Sequence, residues 1–141
     1  FNATDPDLLG TPAKTFEFID FGSPLTWTTA KSLTDASDAT NPFHRIYLAT
    51  INSESEQNAS FQKISGLGVN AWIGGNDANL DGEWRWTEGP DGQSAGGQGV
   101  HFWQGDKFGT SVNGSYENFT AGSEPSNTNN EEYLSIRQLP Q

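Results

Sequence analysis

The chain has 141 residues and no cysteine. That absence excludes a disulfide frame, a thiolate zinc site and a cysteine nucleophile. Basic residues are scarce: 7 Lys and Arg stand against 18 Asp and Glu, for a formal net charge of −11. Nucleic acid is a poor partner for such a chain, because binding there rests on Lys and Arg neutralising phosphates. An anionic membrane surface is disfavoured for the same reason. No apolar run approaches the roughly 20 residues of a membrane span, no signal peptide is visible, and the sequence has no internal repeat. It also lacks a Gly-x-Ser-x-Gly elbow and a His-Glu-x-x-His motif. His44 and His101 stand alone, and no carboxylate pair is singled out for glycoside hydrolysis. The expectation is a domain without catalytic function.

What the chain does have is aromatic residues and clustered acids. Hydrophobic residues make up 33% and aromatic residues 12%. Large rings can therefore bury area that aliphatic side chains would otherwise supply, and they argue against disorder. The length suits one domain, since domains most often hold about 100–150 residues. Asp77, Asp81, Glu83, Glu88 and Asp91 face only Arg85 within their stretch, and Glu124, Glu131 and Glu132 face only Arg137. A solvated acidic surface accounts for scattered acids, not for clustering. Four Asn-x-Ser/Thr sequons, at Asn2, Asn58, Asn113 and Asn118, read as chance in a chain this rich in Asn, Ser and Thr.

Residues 1–15 form a polar, turn-rich lead-in. The Phe16, Phe18 and Phe21 pattern predicts a first strand. Ser23-Pro24 predicts a helix start, with Trp27, Ala30 and Leu33 along a helix over 24–36. Asp35, Asp38 and Asn41-Pro42 predict a loop. Residues 46–51 read as a strand, and Ser53-Glu54-Ser55-Glu56 as a capping box opening a second helix over 54–65. Strands follow at 69–74 and 83–87, where Trp84 and Trp86 alternate as in a half-buried strand. Residues 89–123 read as a long loop pinned by aromatics, among them Trp103 and Phe108, whose rings could stack on a ligand. A last strand spans 133–136. This order is α+β rather than alternating βαβ.

Asp77, Asn79 and Asp81 lie on a short turn, spaced two apart. Hard oxygen ligands on a turn suit calcium, which takes 6–8 oxygens at about 2.3–2.6 Å. Asp77-x-Asn79-x-Asp81-Gly82-x₅-Glu88 satisfies the EF-hand loop pattern. Yet an EF-hand requires helices on both sides. Trp72-Ile73-Gly74-Gly75 enters with two helix-weakening glycines, and Trp84-Arg85-Trp86-Thr87 leaves with β-forming residues. The EF-hand reading is set aside.

The order of pieces resembles the C-type lectin-like domain. Trp27 and Ala30 look like that family's first-helix pair, and Leu48 to Ser53 followed by Glu56 like its strand running into helix two. Trp72-Ile73-Gly74-Gly75 resembles its Trp-Ile-Gly signature, and Gly82-Glu83-Trp84-Arg85-Trp86 its next strand. Tyr116-Glu117-Asn118-Phe119 through Gly122-Ser123-Glu124-Pro125-Ser126 resembles its aromatic-x-Asn-Trp and Glu-Pro-Asn loop, and Glu131 to Ile136 its following strand. The family's cysteines are absent, as in many bacterial members. Ser126 stands where the family has Asn. The family's Trp-Asn-Asp segment and last strand are missing from the domain over 16–141.

The resemblance implies a C-type lectin-like fold: two helices on small antiparallel sheets with a long loop region. It further implies calcium-dependent binding of mannose- or fucose-type glycans on a cell surface. The carbohydrate-binding residues would be Glu124, Ser126 and Glu131, joined as calcium ligands by Asp77, Asp81, Asn127 and Glu132. A cis bond before Pro125 would turn two side chains toward one ion. The setting implied is an adhesin module of a larger multidomain protein, extracellular or on a bacterial cell surface. The alternative is a protein-binding or structural module in which calcium only orders the loops.

Overall fold

A computed structural model describes residues 14–126 and 131–137. Helix α1 (Trp27–Thr40) and helix α2 (Glu54–Gln62) precede strands β1 (Asn70–Asn76) and β2 (Glu83–Trp86). Two short helical turns, Gly89–Gly92 and Ser94–Gly97, lead to β3 (Val100–Gln104), β4 (Thr110–Ser111) and β5 (Tyr133–Arg137). The five strands form one antiparallel sheet in the order β4-β3-β2-β1-β5. The protein is thus mixed α and β, with a few helices and an antiparallel sheet. The 1–15 lead-in lies outside the described residues up to position 13.

Both helices start where a side-chain oxygen caps a free backbone donor. Ser53 caps α2, its hydroxyl accepting from the Glu56 N–H at 3.1 Å, and the Glu56 carboxylate returns to the Asn52 N–H at 3.0 Å. Helix α1 differs from expectation. Its cap is Thr26, whose hydroxyl accepts from the Thr29 N–H at 3.2 Å, not Ser23. It also runs through Asp35 and Asp38 to Thr40, where a loop was expected. Those acids have partners that helix geometry permits. Asp35 accepts from Lys31 one turn back at 3.0 Å, and Asp38 accepts from the Ile46 N–H at 2.5 Å.

The core gathers Ile51, Ile64, Ile73, Trp84, Trp86, Phe102 and Ile136, with Phe61 of α2 packed against it. Trp86 and Phe102 stack with ring centres 4.5 Å apart. Phe119, from the irregular stretch, sets its ring against Trp84, Phe102 and Trp103. Helix α1 is fastened by Trp27, whose indole N–H donates to the Ile73 carbonyl at 2.7 Å and whose ring stacks on Tyr133 at 4.6 Å. Lys31 adds an ion pair at 2.8 Å to buried Glu88.

Two strand expectations and one loop expectation need correction. Residues 16–21 and 46–51 are irregular, although the Ala49 carbonyl accepts from the Gly74 N–H at 2.7 Å. Residues 89–123 are no plain loop, because they contain β3 and β4. Strands, not helices, flank the Asp77–Gly82 turn, so the EF-hand pattern has no EF-hand structure. Gly74 is needed where it stands: a Cβ there would meet the Leu48 carbonyl oxygen at 2.7 Å.

Candidate functional site

The β1–β2 turn and the segment entering β5 meet at one edge of the sheet. The Asp77 N–H donates to the Glu132 carbonyl at 3.0 Å, which brings the two acidic stretches together. Asp77 is buried, only 4% exposed. Its Oδ2 accepts from the Gly82 N–H at 2.8 Å, possible because Gly82 takes a positive φ of 82°. Its Oδ1 is buried without a hydrogen-bond partner. Burial pushes the Asp77 carboxyl above its ordinary value of 3.8. The Gly82 N–H opposes that rise, while the neighbouring Asp81 and Glu132 carboxylates add to it.

A second group forms around Ser126. The Glu124–Pro125 peptide is cis, as the resemblance implies. The Ser126 N–H donates to Glu124 Oε2 at 2.8 Å, and the Ser126 hydroxyl donates to Glu131 Oε2. The fold thus links Glu124, Ser126 and Glu131 in one chain of hydrogen bonds. Arg137 approaches from β5, its guanidinium 3.7 Å from Glu124 Oε1. Asn127 lies outside the described residues.

A cleft of about 400 Å³ lies against the Asp77 group and reaches Pro125, between Glu124 and Ser126. Asp77, Asp81, Gln104 and Asp106 give its polar walls, and Trp84 and Pro125 its apolar lining. The cleft exists because the β3–β4 turn is tied to the β1–β2 turn, the Gly105 N–H donating to the Gly82 carbonyl at 2.7 Å. Gln104 and Asp106 did not figure among the sequence candidates. Their signal was a Gln-Gly-Asp turn set between Trp103 and Phe108, hidden in a glycine-rich stretch. Trp103 is committed to the fold: its indole N–H donates to the Asp106 carbonyl at 3.0 Å and its ring meets Phe119 edge-on. Phe108 is 79% exposed, with the Lys107 ammonium 5.4 Å from its ring centre.

One curated protein is similar in sequence. It is halomucin of Haloquadratum walsbyi (strain DSM 16790 / HBSQ001). Identity is 34% over 114 residues, which cover 81% of this chain and 1% of halomucin. The chain therefore spans about 1% of the length of the curated relative it matches. No protein-family model matches the chain, and no solved structure does.

Among the described residues, no three Asp, Glu or His side chains are grouped so as to hold a metal ion. The donor chemistry nonetheless fits a hard cation. Asp77 Oδ1 is a buried carboxylate oxygen with nothing to neutralise it, and Asp81 and Glu132 bring further carboxylates near it. Burying such an oxygen unpaired is costly, and a cation or a proton would relieve the cost. Among the described residues no helix is long and apolar enough to cross a membrane.

Proposed function

We propose that this is a C-type lectin-like domain that binds neutral glycans of mannose or fucose type in a calcium-dependent manner. The observation that carries the reading is the buried, unpartnered Oδ1 of Asp77 beside Asp81 and Glu132. Asp77, Asp81 and Glu132, with Asn127 by resemblance, would order the loops around one ion. Glu124, Ser126 and Glu131 would present oxygens to a second ion, and sugar hydroxyls would complete its coordination. The chemistry is that of hydroxyl oxygens replacing water on a hard cation while carboxylates accept their protons. No residue here is assigned a catalytic role.

The setting proposed is extracellular or on a cell surface, in an adhesin-type module of a larger multidomain protein. Similarity to a small part of a protein named halomucin supports this setting.

A second reading has its own observation. The Ser126 N–H and hydroxyl are both engaged within the loop, and Arg137 lies near Glu124. On that reading calcium only orders the loops, and the module binds protein or serves structure. Glycan binding measured in calcium and in chelator separates the two. The glycan reading expects mannose- or fucose-terminated glycans to bind in calcium alone, and Glu124→Gln to weaken them at unchanged melting temperature. Binding that is absent, or unaffected by both chelator and this variant, would sink it.

A further inference from the structure

Composition makes the four Asn-x-Ser/Thr sequons read as chance, but the fold does not treat them alike. Asn2 lies outside the described residues. Asn58 stands within helix α2, and the hydroxyl of its sequon is engaged: Ser60 is buried and donates to the Gln57 carbonyl at 3.0 Å. Asn118 is exposed, yet the next residue is Phe119, whose ring is set against Trp84, Phe102 and Trp103. The Thr120 carbonyl of that sequon accepts from the Ser123 and Glu124 N–H groups at 2.9 Å. An enzyme drawing either triplet into its own site would have to unwind a helix or pull a ring out of the core.

Asn113-Gly114-Ser115 is different. It lies on a tight turn closed by the Ser115 N–H, which donates to the Val112 carbonyl at 3.0 Å. Asn113 and Gly114 take positive φ of 54° and 68°, the pattern that Asn-Gly favours in such turns. Both are exposed, and a Cβ built on Gly114 would have nothing within 4 Å. The Asn113 carboxamide makes no hydrogen bond among the described residues. Turn geometry accounts for Asn-Gly but does not require a hydroxyl at 115, since the Ser115 N–H already closes the turn. That hydroxyl is held only within the turn, donating to the Val112 carbonyl at 2.6 Å. Opening the triplet therefore breaks two local bonds and no core contact. The Val112 N–H, donating to the Phe102 carbonyl at 3.0 Å, still ties the base of the turn to β3. Local openings of this kind lie at the low end of a protein's range of stabilities.

We propose that Asn113 is an N-glycosylation acceptor, the one among Asn58, Asn113 and Asn118 that the folded chain offers. This rests on the extracellular or cell-surface setting proposed above and is independent of calcium and of glycan binding by the domain. The co-substrate is an oligosaccharide carried on a lipid phosphate. Asn113 Nδ2 forms a C–N bond to the sugar's anomeric carbon as the bond from that carbon to the phosphate oxygen breaks. The departing phosphate keeps the electron pair, and the amide gives up one proton. The saccharide would stand beside β4, the edge strand of the sheet, where a bulky solvated group hinders pairing with another chain.

The test is glycopeptide mass spectrometry on the protein isolated from its own cells, with surface and interior fractions separated. Asn113→Gln, Ser115→Ala and Ser115→Thr are expressed in the same cells, and their melting temperatures check folding. The expected result is a saccharide on the peptide containing Asn113, with Asn58 and Asn118 bare. Asn113→Gln and Ser115→Ala should lose it, and Ser115→Thr should keep it, because threonine supplies the same hydroxyl. Surface-located protein with Asn113 bare, or converted to Asp without a saccharide, would overturn the proposal and leave the setting standing. So would a saccharide on Asn58 or Asn118 instead, or one that survives Ser115→Ala. Protein found only inside the cell overturns the setting, and the proposal with it.

Discussion

Asp77 and Glu132 are joined through the main chain, the Asp77 N–H donating to the Glu132 carbonyl at 3.0 Å. The Asp81 and Glu132 carboxylates lie near enough to raise the Asp77 carboxyl. A cation between them would relieve that repulsion.

Calcium is therefore expected to stabilise the domain. An ion binding only the native state adds about 2.7 kcal/mol at a hundredfold excess over its dissociation constant. Asp77→Asn should abolish most of that gain, because it removes the charge and keeps an oxygen for the Gly82 N–H. Thermal melts with calcium and with chelator, on both proteins, check this. Superimposed parent melts would refute it.

The same substitution has a pH signature in chelator. Burial, with Asp81 and Glu132, raises the Asp77 carboxyl above 3.8 in the folded state. A raised folded-state value favours folding while the group is protonated, and that contribution is lost as pH rises through the raised value. The stability of Asp77→Asn relative to the parent should thus increase with pH from about 3.8 upward. Chemical denaturation at a series of pH values reads the difference directly. A difference that is flat, or that falls with pH, would contradict the assignment.

Arg137 offers a different handle. Its guanidinium lies 3.7 Å from Glu124 Oε1, with side-chain exposures of 49% and 35%. Such a pair contributes little, about 0–1 kcal/mol, yet it competes with any ion at Glu124. Arg137→Gln should leave the melting temperature in chelator nearly unchanged and raise calcium affinity a few-fold. Calorimetric titration decides.

For the core, Phe102→Ala should cost about 3–5 kcal/mol. Phe102 is 2% exposed and stacks on Trp86 at 4.5 Å, so no neighbour can move in without leaving its own contacts. The midpoint of urea denaturation measures it.

Local signals in the sequence carried some elements and missed others for physical reasons. The Ser53 cap and the Trp84–Trp86 alternation depend on near neighbours, and both stand in the structure. Asp35 and Asp38 suggest a loop by propensity, but Lys31 and the Ile46 N–H supply partners that only the folded chain brings within reach. Strand β3 hides between glycines, although Val100-His101-Phe102-Trp103 is a β-forming run once its flanks are ignored. Phe16, Phe18 and Phe21 have the right residues for a strand, yet strand identity requires a partner at the right edge, which spacing cannot supply. The site divides similarly. Spacing along the chain suffices to mark Asp77 and Asp81. Gln104 and Asp106 reach the cleft only because Gly105 bonds to Gly82 across two strands.

Strand β5 pairs with β1, Asn76 opposite Tyr133 and Asn70 opposite Arg137. It arrives from far along the chain, and Glu131 and Glu132 stand at its head. Closing so long a loop yields its reward only once the rest of the sheet exists. If β5 docks after the folding barrier, its release comes early in unfolding. A ligand gripping Glu131 and Glu132 would act as a latch on that strand. Its effect would fall on how slowly the native protein opens rather than on how quickly it forms.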